Sequence, residues 1–243
     1  MKESKIPKAI TQGLVAMSSF SGNPEIAVIT AMLSPTIEEV SANIYQRILS
    51  DFQQIRLGKV LCQMLNKIEQ KLSDGKRSRS DTFVTKEDGT MLKQILEGLL
   101  LNAMDEFEKK KVDSYSSVFA NLCFDERVTF EQAIAIIRTL KQLSYRQLCI
   151  IALARQENLR TVSWDVRFKE HASLNQYADF FSEILSLYNW RILQQTGIGI
   201  SLTMTNMALS EFGMLIANQL DLNTIPQSDI GNVREYIARI NSL

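Results

Sequence analysis

Residues 129–155, TFEQAIAIIRTLKQLSYRQLCIIALAR, predict two short helices joined by a tight corner. Thr129 and Gln132 have the three-residue spacing of a capping box, and Ser144 and Gln147 repeat it at the start of the second helix. Apolar residues recur at helical spacing along both helices, at Phe130, Ala133, Ile134, Ile137, Leu140, Leu148, Ile151 and Ala152. Because such a pair has nothing of its own to cover these faces, we expect the neighbouring segments to pack against it.

The composition indicates a folded and mainly helical protein. Hydrophobic residues make up 45% of the chain and charged residues 22%, close to the averages for globular domains. Lys and Arg together number 27, as do Asp and Glu, so the formal net charge is zero. No overall field therefore attracts nucleic acid or an anionic membrane, and we expect neither as a partner.

The cysteines and the N-terminal residues favour a cytoplasmic protein. Cys62, Cys123 and Cys149 lie in helix-like segments without a C-x-x-C spacing, which is typical of reduced thiols. The first twenty residues lack the compact apolar core of a secretory signal. The most apolar run, residues 26–33, is far shorter than the ~20 residues that a membrane-spanning helix needs.

Residues 1–75 predict an N-terminal helical segment with one long helix. Ser34 suits the N-cap and Pro35 the first helical position. An unbroken helix over residues 35–72 would span ~55 Å. We therefore expect a break near Gly58, or a partner helix from this chain or a second subunit. The candidate residues for an oligomer interface are Ile37, Val40, Ile44, Ile48, Phe52 and Ile55.

Residues 76–90 predict a linker between this segment and a helical domain over residues 91–243. The stretch SDGKRSRS, residues 73–80, is small and polar, and Gly75 can end the preceding helix. Lys76, Arg77 and Arg79 form a basic cluster that could bind phosphate. A solvated connection is the favoured interpretation.

The remaining segments alternate between helical and strand periods. Residues 91–107 and 113–122 predict amphipathic helices, and residues 175–190 predict another that is rich in aromatic residues. Residues 198–204 alternate as a strand does, and the chain then turns back to form one small β-hairpin. The candidate residues for docking a protein partner are Tyr177, Phe181, Tyr188 and Trp190.

The order helix, corner, helix, helix, hairpin, helix over residues 129–222 resembles a winged-helix module. Residues 206–222 match an L-[ST]-x-x-G-x-x-[LI]-x-x-x-L pattern common in such modules, through Leu209, Ser210, Gly213, Ile216 and Leu220. Residues 185–193 are similar to the end of the third helix of such a module. The chain departs from the pattern over residues 156–172, where a winged helix has a short turn. The resemblance implies a mainly α fold with a winged-helix-like C-terminal module, and DNA binding as its usual function.

A second resemblance concerns residues 107–125 and 140–153. FEKKKVDSYSSVFANLCFD and LKQLSYRQLCIIAL are similar to segments of uncharacterised bacterial helical proteins. Some of those proteins are linked to abortive-infection and phage-defence genes. This resemblance implies a bacterial defence setting and supplies no active site.

The sequence carries no recognisable catalytic, metal or cofactor motif, so we expect no enzyme. His171 is the only histidine, no pair of residues has zinc-ligand spacing, and no G-x-S-x-G elbow presents a serine. Cys123 or Cys149 could form a nucleophile pair with His171, but packing is the favoured role of both thiols.

Three functional classes remain open. The favoured one is a non-catalytic interaction or regulatory protein that associates with itself and docks another protein. The alternatives are a winged-helix DNA-binding transcriptional regulator and a membrane-active effector that exposes residues 13–34. The candidate third helix, residues 175–190, contains Asp179 and Glu183 but no Lys or Arg. Since DNA affinity depends on cations that neutralise phosphate, we expect this module not to bind DNA.

Overall fold

The computed structural model describes residues 24–47, 49–81, 83, 90–162, 176–196 and 204–242. The fold is mainly α with a small antiparallel sheet, which confirms the predicted fold class. The chain divides into two compact units, Met1–Gln142 and Leu143–Leu243. This division falls in the corner between the two helices of residues 129–155, whereas the sequence places its linker at residues 76–90.

The first unit is a helical bundle. Its helices are α1 (Pro24–Tyr45), α2 (Asp51–Ser73), α3 (Thr90–Asp105), α4 (Val112–Leu122) and α5 (Phe130–Gln142). Helix α2 packs against α3 and α4, and α1 packs against α3. The Ser116 hydroxyl donates to the Val60 carbonyl at 3.1 Å, and Lys67 pairs with Asp113 at 3.3 Å. These contacts show that α2 and α4 run antiparallel.

The long helix predicted over residues 35–72 is two helices. The first already begins at Pro24, and Pro35 lies inside it rather than at its start. The first helix ends at Tyr45 and the second begins at Asp51, so the break is not at Gly58, which is inside α2. Ser50 Oγ accepts from the Gln53 amide at 3.3 Å, and the Gln53 side chain accepts from the Ser50 amide at 3.1 Å. This capping box begins a new helix and makes a glycine unnecessary at the break.

Arg79 lies inside the first unit, so its assignment to a solvated linker is wrong. Only 2% of the residue is exposed. Its guanidinium donates to the carbonyls of Leu122 and Val128, each at 3.2 Å, and pairs with Asp81 at 2.6 Å. The last carbonyls of a helix have no partner within the helix, and Arg79 supplies a donor for one of them at the end of α4. Lys76 and Arg77, by contrast, are exposed.

The second unit combines four helices with three strands within its described residues. They are α6 (Tyr145–Gln156), β1 (Leu159–Val162), α7 (Ala178–Asn189), β2 (Leu193–Gln195), β3 (Met204–Leu209), α8 (Glu211–Gln219) and α9 (Gln227–Asn241), with a 3-10 turn at Leu222–Thr224 before α9.

The sheet has the strand order β1-β3-β2, and both pairings are antiparallel. Leu159 lies opposite Met207, and Leu193 lies opposite Leu209. The sequence does not predict strand β1, since residues 157–171 are polar and have no strand periodicity. The hairpin predicted around residues 198–209 is only partly described, because residues 197–203 lie outside the described ranges.

The two predicted capping boxes of α5 and α6 are confirmed. The Thr129 amide donates to Gln132 Oε1 at 2.9 Å, and the Gln132 amide donates back to Thr129 Oγ1 at 3.3 Å. Ser144 and Gln147 make the same reciprocal pair, at 2.9 and 3.1 Å. Both helices therefore begin where their local sequence predicts.

Candidate interaction surfaces

Three large apolar side chains of the first unit are exposed, two in the first turns of α2 and one just after the end of α3. Phe52 is 54% exposed, Ile55 73% and Phe107 86%. Gln53 Nε2 donates to Asp105 Oδ1 at 3.2 Å, which joins the first turn of α2 to the end of α3. Phe52 directly precedes this contact in the sequence and Phe107 follows it by two residues. We call Phe52, Ile55 and Phe107 the Phe52 surface.

A buried cation lies beneath this surface. The Arg56 guanidinium carbon lies 4.2 Å from the centroid of the Phe52 ring, and Arg56 is itself buried. Within the described part of the chain, no carboxylate lies within ion-pair distance of Arg56. The face of the Phe52 ring therefore provides a favourable contact for this charge.

Five of the six candidate interface residues are described by the structure, and they fall into two groups. Ile37, Val40 and Ile44 are buried within the first unit. They belong to its core and are not available to a second copy of the folded chain. Phe52 and Ile55 are exposed as the interface prediction requires. Ile48 lies outside the described residues.

A second exposed group lies at the end of α7. Leu185, Tyr188 and Trp190 are exposed, and we call them the Trp190 surface. The helix ends because Arg191 adopts the left-handed conformation, with φ of 57°. The Ile192 amide then donates to the Leu187 carbonyl at 2.9 Å, and the Arg191 amide donates to the Tyr188 carbonyl at 2.9 Å. This pair of bonds is a Schellman motif, and it fixes Trp190 at the helix end.

The other two docking candidates are held within the second unit. Phe181 is buried. The Tyr177 ring meets the Tyr236 ring edge to face, with centroids 5.1 Å apart. Of the four candidates, Tyr188 and Trp190 are therefore the ones that are exposed for docking.

The charged residues of α7 are both acidic, Asp179 and Glu183. Arg146, from the first turn of α6, pairs with Asp179 at 2.8 Å and with Glu183 at 2.5 Å. The hydrogen bond from Arg146 lowers the pKa of Asp179, so this carboxylate stays charged at neutral pH. Helix α7 itself contains no Lys or Arg, and it offers no cation for a phosphate backbone.

A buried ionic network lies between α3 and α4, outside both surfaces. Glu106 Oε2 accepts from Lys111 Nζ at 2.7 Å and from the Tyr115 hydroxyl at 3.0 Å. Lys111 Nζ also donates to the Lys141 carbonyl at 3.1 Å, near the end of α5. Burial favours the neutral form of Glu106, but the hydrogen bonds and charge of Lys111 lower its pKa overall. The network ties the 106–111 loop to two helices, and each polar group in it has a partner, so a structural role explains it.

In the described part of the chain, the three thiols are buried or half-buried and the acidic residues form no metal cluster. Cys123 and Cys149 are buried, and burial raises the pKa of Cys123 to about 12, which opposes thiolate chemistry. His171 lies outside the described residues. In the described ranges, no group of three or more His, Cys, Asp and Glu residues could hold a metal ion. Among the helices described, none is both long and apolar enough to cross a membrane; residues 13–23, part of the proposed membrane-active region, lie outside those ranges.

No family model, curated protein or solved structure matches this chain.

Proposed function

We propose that this chain is a non-catalytic interaction protein, which associates with itself through the first unit and docks a protein partner through the second. The observation that carries the proposal is the Phe52 surface. Large apolar side chains that are exposed together are typical of protein–protein contacts, and aromatic residues are enriched among the side chains that dominate such contacts.

The Trp190 surface supports the docking part of the proposal. Trp and Tyr are enriched among the residues that contribute most to binding energy. Arg191 supports the same assignment because a left-handed conformation costs an ordinary residue roughly 1–2 kcal/mol. A glycine would avoid that cost, and residues that break such local rules are concentrated at functional sites.

The self-association can be tested with one variant and a matched control. Ile55→Asp places a charge on a residue that is 73% exposed, so the variant should fold normally. Asn66→Asp adds the same charge to another exposed position on α2, three helical turns from Ile55. Light scattering over a concentration series should show that Ile55→Asp weakens association about tenfold or more, while Asn66→Asp matches the wild type. Equal association of all three proteins would contradict an interface at the Phe52 surface.

A DNA-binding regulator is the second candidate function. The strand order β1-β3-β2, with a helix before β1 and another before β2, supports a winged-helix-type arrangement of the second unit. Its electrostatics oppose DNA binding, since residues 158–243 contain six basic and eight acidic side chains. Phosphate contacts dominate the affinity of such modules for DNA, so we place protein docking first.

A further inference from the structure

Helix α2 carries a row of exposed residues that is complementary to itself when reversed. Asp51, Ile55 and Lys59 are spaced four residues apart and all are exposed. Residues at this spacing form one ridge along a helix surface. When two copies of this ridge are placed antiparallel, position 51 of one copy lies opposite position 59 of the other, and the two positions 55 lie opposite each other. Opposite charges then meet at both ends, with isoleucine at the centre.

We propose that α2 pairs with α2 of a second copy about a twofold axis near Ile55, with Asp51 of each copy beside Lys59 of the other. The proposal rests on the proposed self-association and specifies its geometry. A twofold interface uses the same patch on both copies, which a self-complementary ridge provides. When such four-residue ridges pack together, the helices cross at about −50°, the commonest packing class in globular proteins.

The charges of the ridge are available for this contact. Among the described residues, neither Asp51 nor Lys59 has an ion-pair partner within the first unit. By contrast, Arg47 pairs with Glu97 at 2.9 Å and Lys93 pairs with Glu39 at 2.6 Å. The two charges that the pairing needs therefore have no ion-pair partner in the part of the chain that the structure describes.

The shape of α2 beside the ridge also suits a second helix. Gly58 lies in the neighbouring row, and a Cβ built there would meet nothing within 4 Å. The missing side chain leaves a groove into which Ile55 or Phe52 of the other copy can pack. Ridges that pack into such grooves are the basis of helix–helix contacts.

The area of the contact determines how strongly the two copies are expected to associate. An aromatic side chain buries about 150–250 Å² at most, and beside the ridge each copy contributes Phe52 and Ile55. The contact is then smaller than the roughly 1,600 Å² of a standard stable interface. A reversible dimer that dissociates on dilution is therefore expected.

Charge reversal tests the twofold pairing directly. Asp51→Lys places a lysine opposite Lys59 of the other copy, and Lys59→Asp places two aspartates opposite each other. Each variant alone should therefore associate at least about tenfold more weakly than the wild type. An equimolar mixture of the two should recover association. In the mixed dimer the introduced Lys at position 51 faces the introduced Asp at position 59 of the other copy. At the opposite end of the ridge, the native Asp51 and Lys59 face each other. Glu131→Lys, a reversal at an exposed position on α5, is the control and should behave as the wild type.

A second pair of variants makes the same test at the centre of the ridge. Ile55→Asp and Ile55→Lys should each associate at least about tenfold more weakly than the wild type when alone, and their mixture should recover association. Native mass spectrometry of the mixtures should detect one copy of each variant per dimer. If either Asp51→Lys or Lys59→Asp associates as strongly as the wild type, or if neither mixture recovers association, the twofold pairing is wrong. A wild type that stays monomeric would instead contradict the proposed self-association itself.

Discussion

Gly213 lies directly against the backbone of Ile192. A Cβ added at Gly213 would come within 2.1 Å of the Ile192 carbonyl oxygen, far closer than any real contact. This approach brings the start of α8 onto the segment that connects α7 to β2. The same glycine is the central residue of the pattern over residues 206–222, so its presence has a steric reason.

Gly213→Ala is therefore expected to destabilise the second unit. The backbone must move to admit one methyl group, and overpacking of this kind costs about 1–3 kcal/mol. Gly231→Ala is the matched control, since Gly231 lies inside α9 and a Cβ there meets nothing within 4 Å. Alanine should stabilise that helix by about 0.5–1 kcal/mol. Chemical denaturation measures the free energy of unfolding of both variants and the wild type. A Gly213→Ala protein as stable as the wild type would contradict the close packing of Gly213 against the Ile192 backbone.

Glu106→Gln should change how stability depends on pH. The pKa of Glu106 is lowered from 4.5 in the folded chain, so its ionised form stabilises the fold above that pH. This contribution is lost as the pH falls through the lowered pKa. At neutral pH the variant leaves Lys111 buried without its anion, which costs about 3–5 kcal/mol.

The difference in unfolding free energy between wild type and Glu106→Gln should therefore narrow as the pH falls below 4.5 and through the lowered pKa of Glu106. Unfolding by urea at several pH values measures this difference. Glu131→Gln, at an exposed position, is the control and should show little difference at any pH. If the difference in unfolding free energy between wild type and Glu106→Gln stays constant on acidification, Glu106 is not ionised in the buried network.

Limited trypsin digestion should distinguish neighbouring basic residues. Lys76 and Arg77 are exposed, whereas Arg79 is buried and holds the carbonyls of Leu122 and Val128. Cleavage after Lys76 or Arg77 should therefore precede cleavage after Arg79, as mass spectrometry of early fragments can show. Arg79→Lys, which keeps the charge but loses the planar fork, should accelerate cleavage throughout the stretch. First cleavage after Arg79 in the wild type would contradict its buried position.

The second unit should not bind duplex DNA appreciably, even in low salt. Helix α7 contributes Asp179 and Glu183, which pair with Arg146, and it contains no basic residue. The phosphate contacts that produce salt-dependent affinity are therefore missing from this helix. A gel-shift titration at low ionic strength is the direct measurement. Tight binding that weakens steeply with added salt would favour the DNA-binding regulator over the docking protein.

Local signals in the sequence predicted local structure well. The capping boxes at Thr129 and Ser144 were predictable because both partners of each box lie within four residues. The break before α2 follows the same rule at Ser50 and Gln53, but the long apolar repeat of residues 35–72 masked it. Strand β1 could not be predicted from local sequence, because its four residues form a strand by pairing with β3, which is distant in the sequence.

The candidate surfaces were harder to predict, for a related reason. Periodicity identifies apolar positions but not the elements that cover them, so Ile44 and Ile55 look alike in the sequence. In the structure Ile44 is buried and Ile55 is exposed. From their residue type alone, Arg79 and Lys111 would be expected to lie on the surface in contact with water. Their burial depends on backbone carbonyls supplied by other segments, at Leu122 and Val128 for Arg79 and at Lys141 for Lys111.

The central claim, self-association through the start of α2, is tested most directly by the mass of the wild-type protein in solution. Sedimentation velocity over a wide concentration range should show a monomer of 27.6 kDa at high dilution. As the concentration rises, a reversible shift toward twice that mass is expected, and Ile55→Asp should abolish the shift. A mass that stays at 27.6 kDa up to high micromolar concentration would contradict the account.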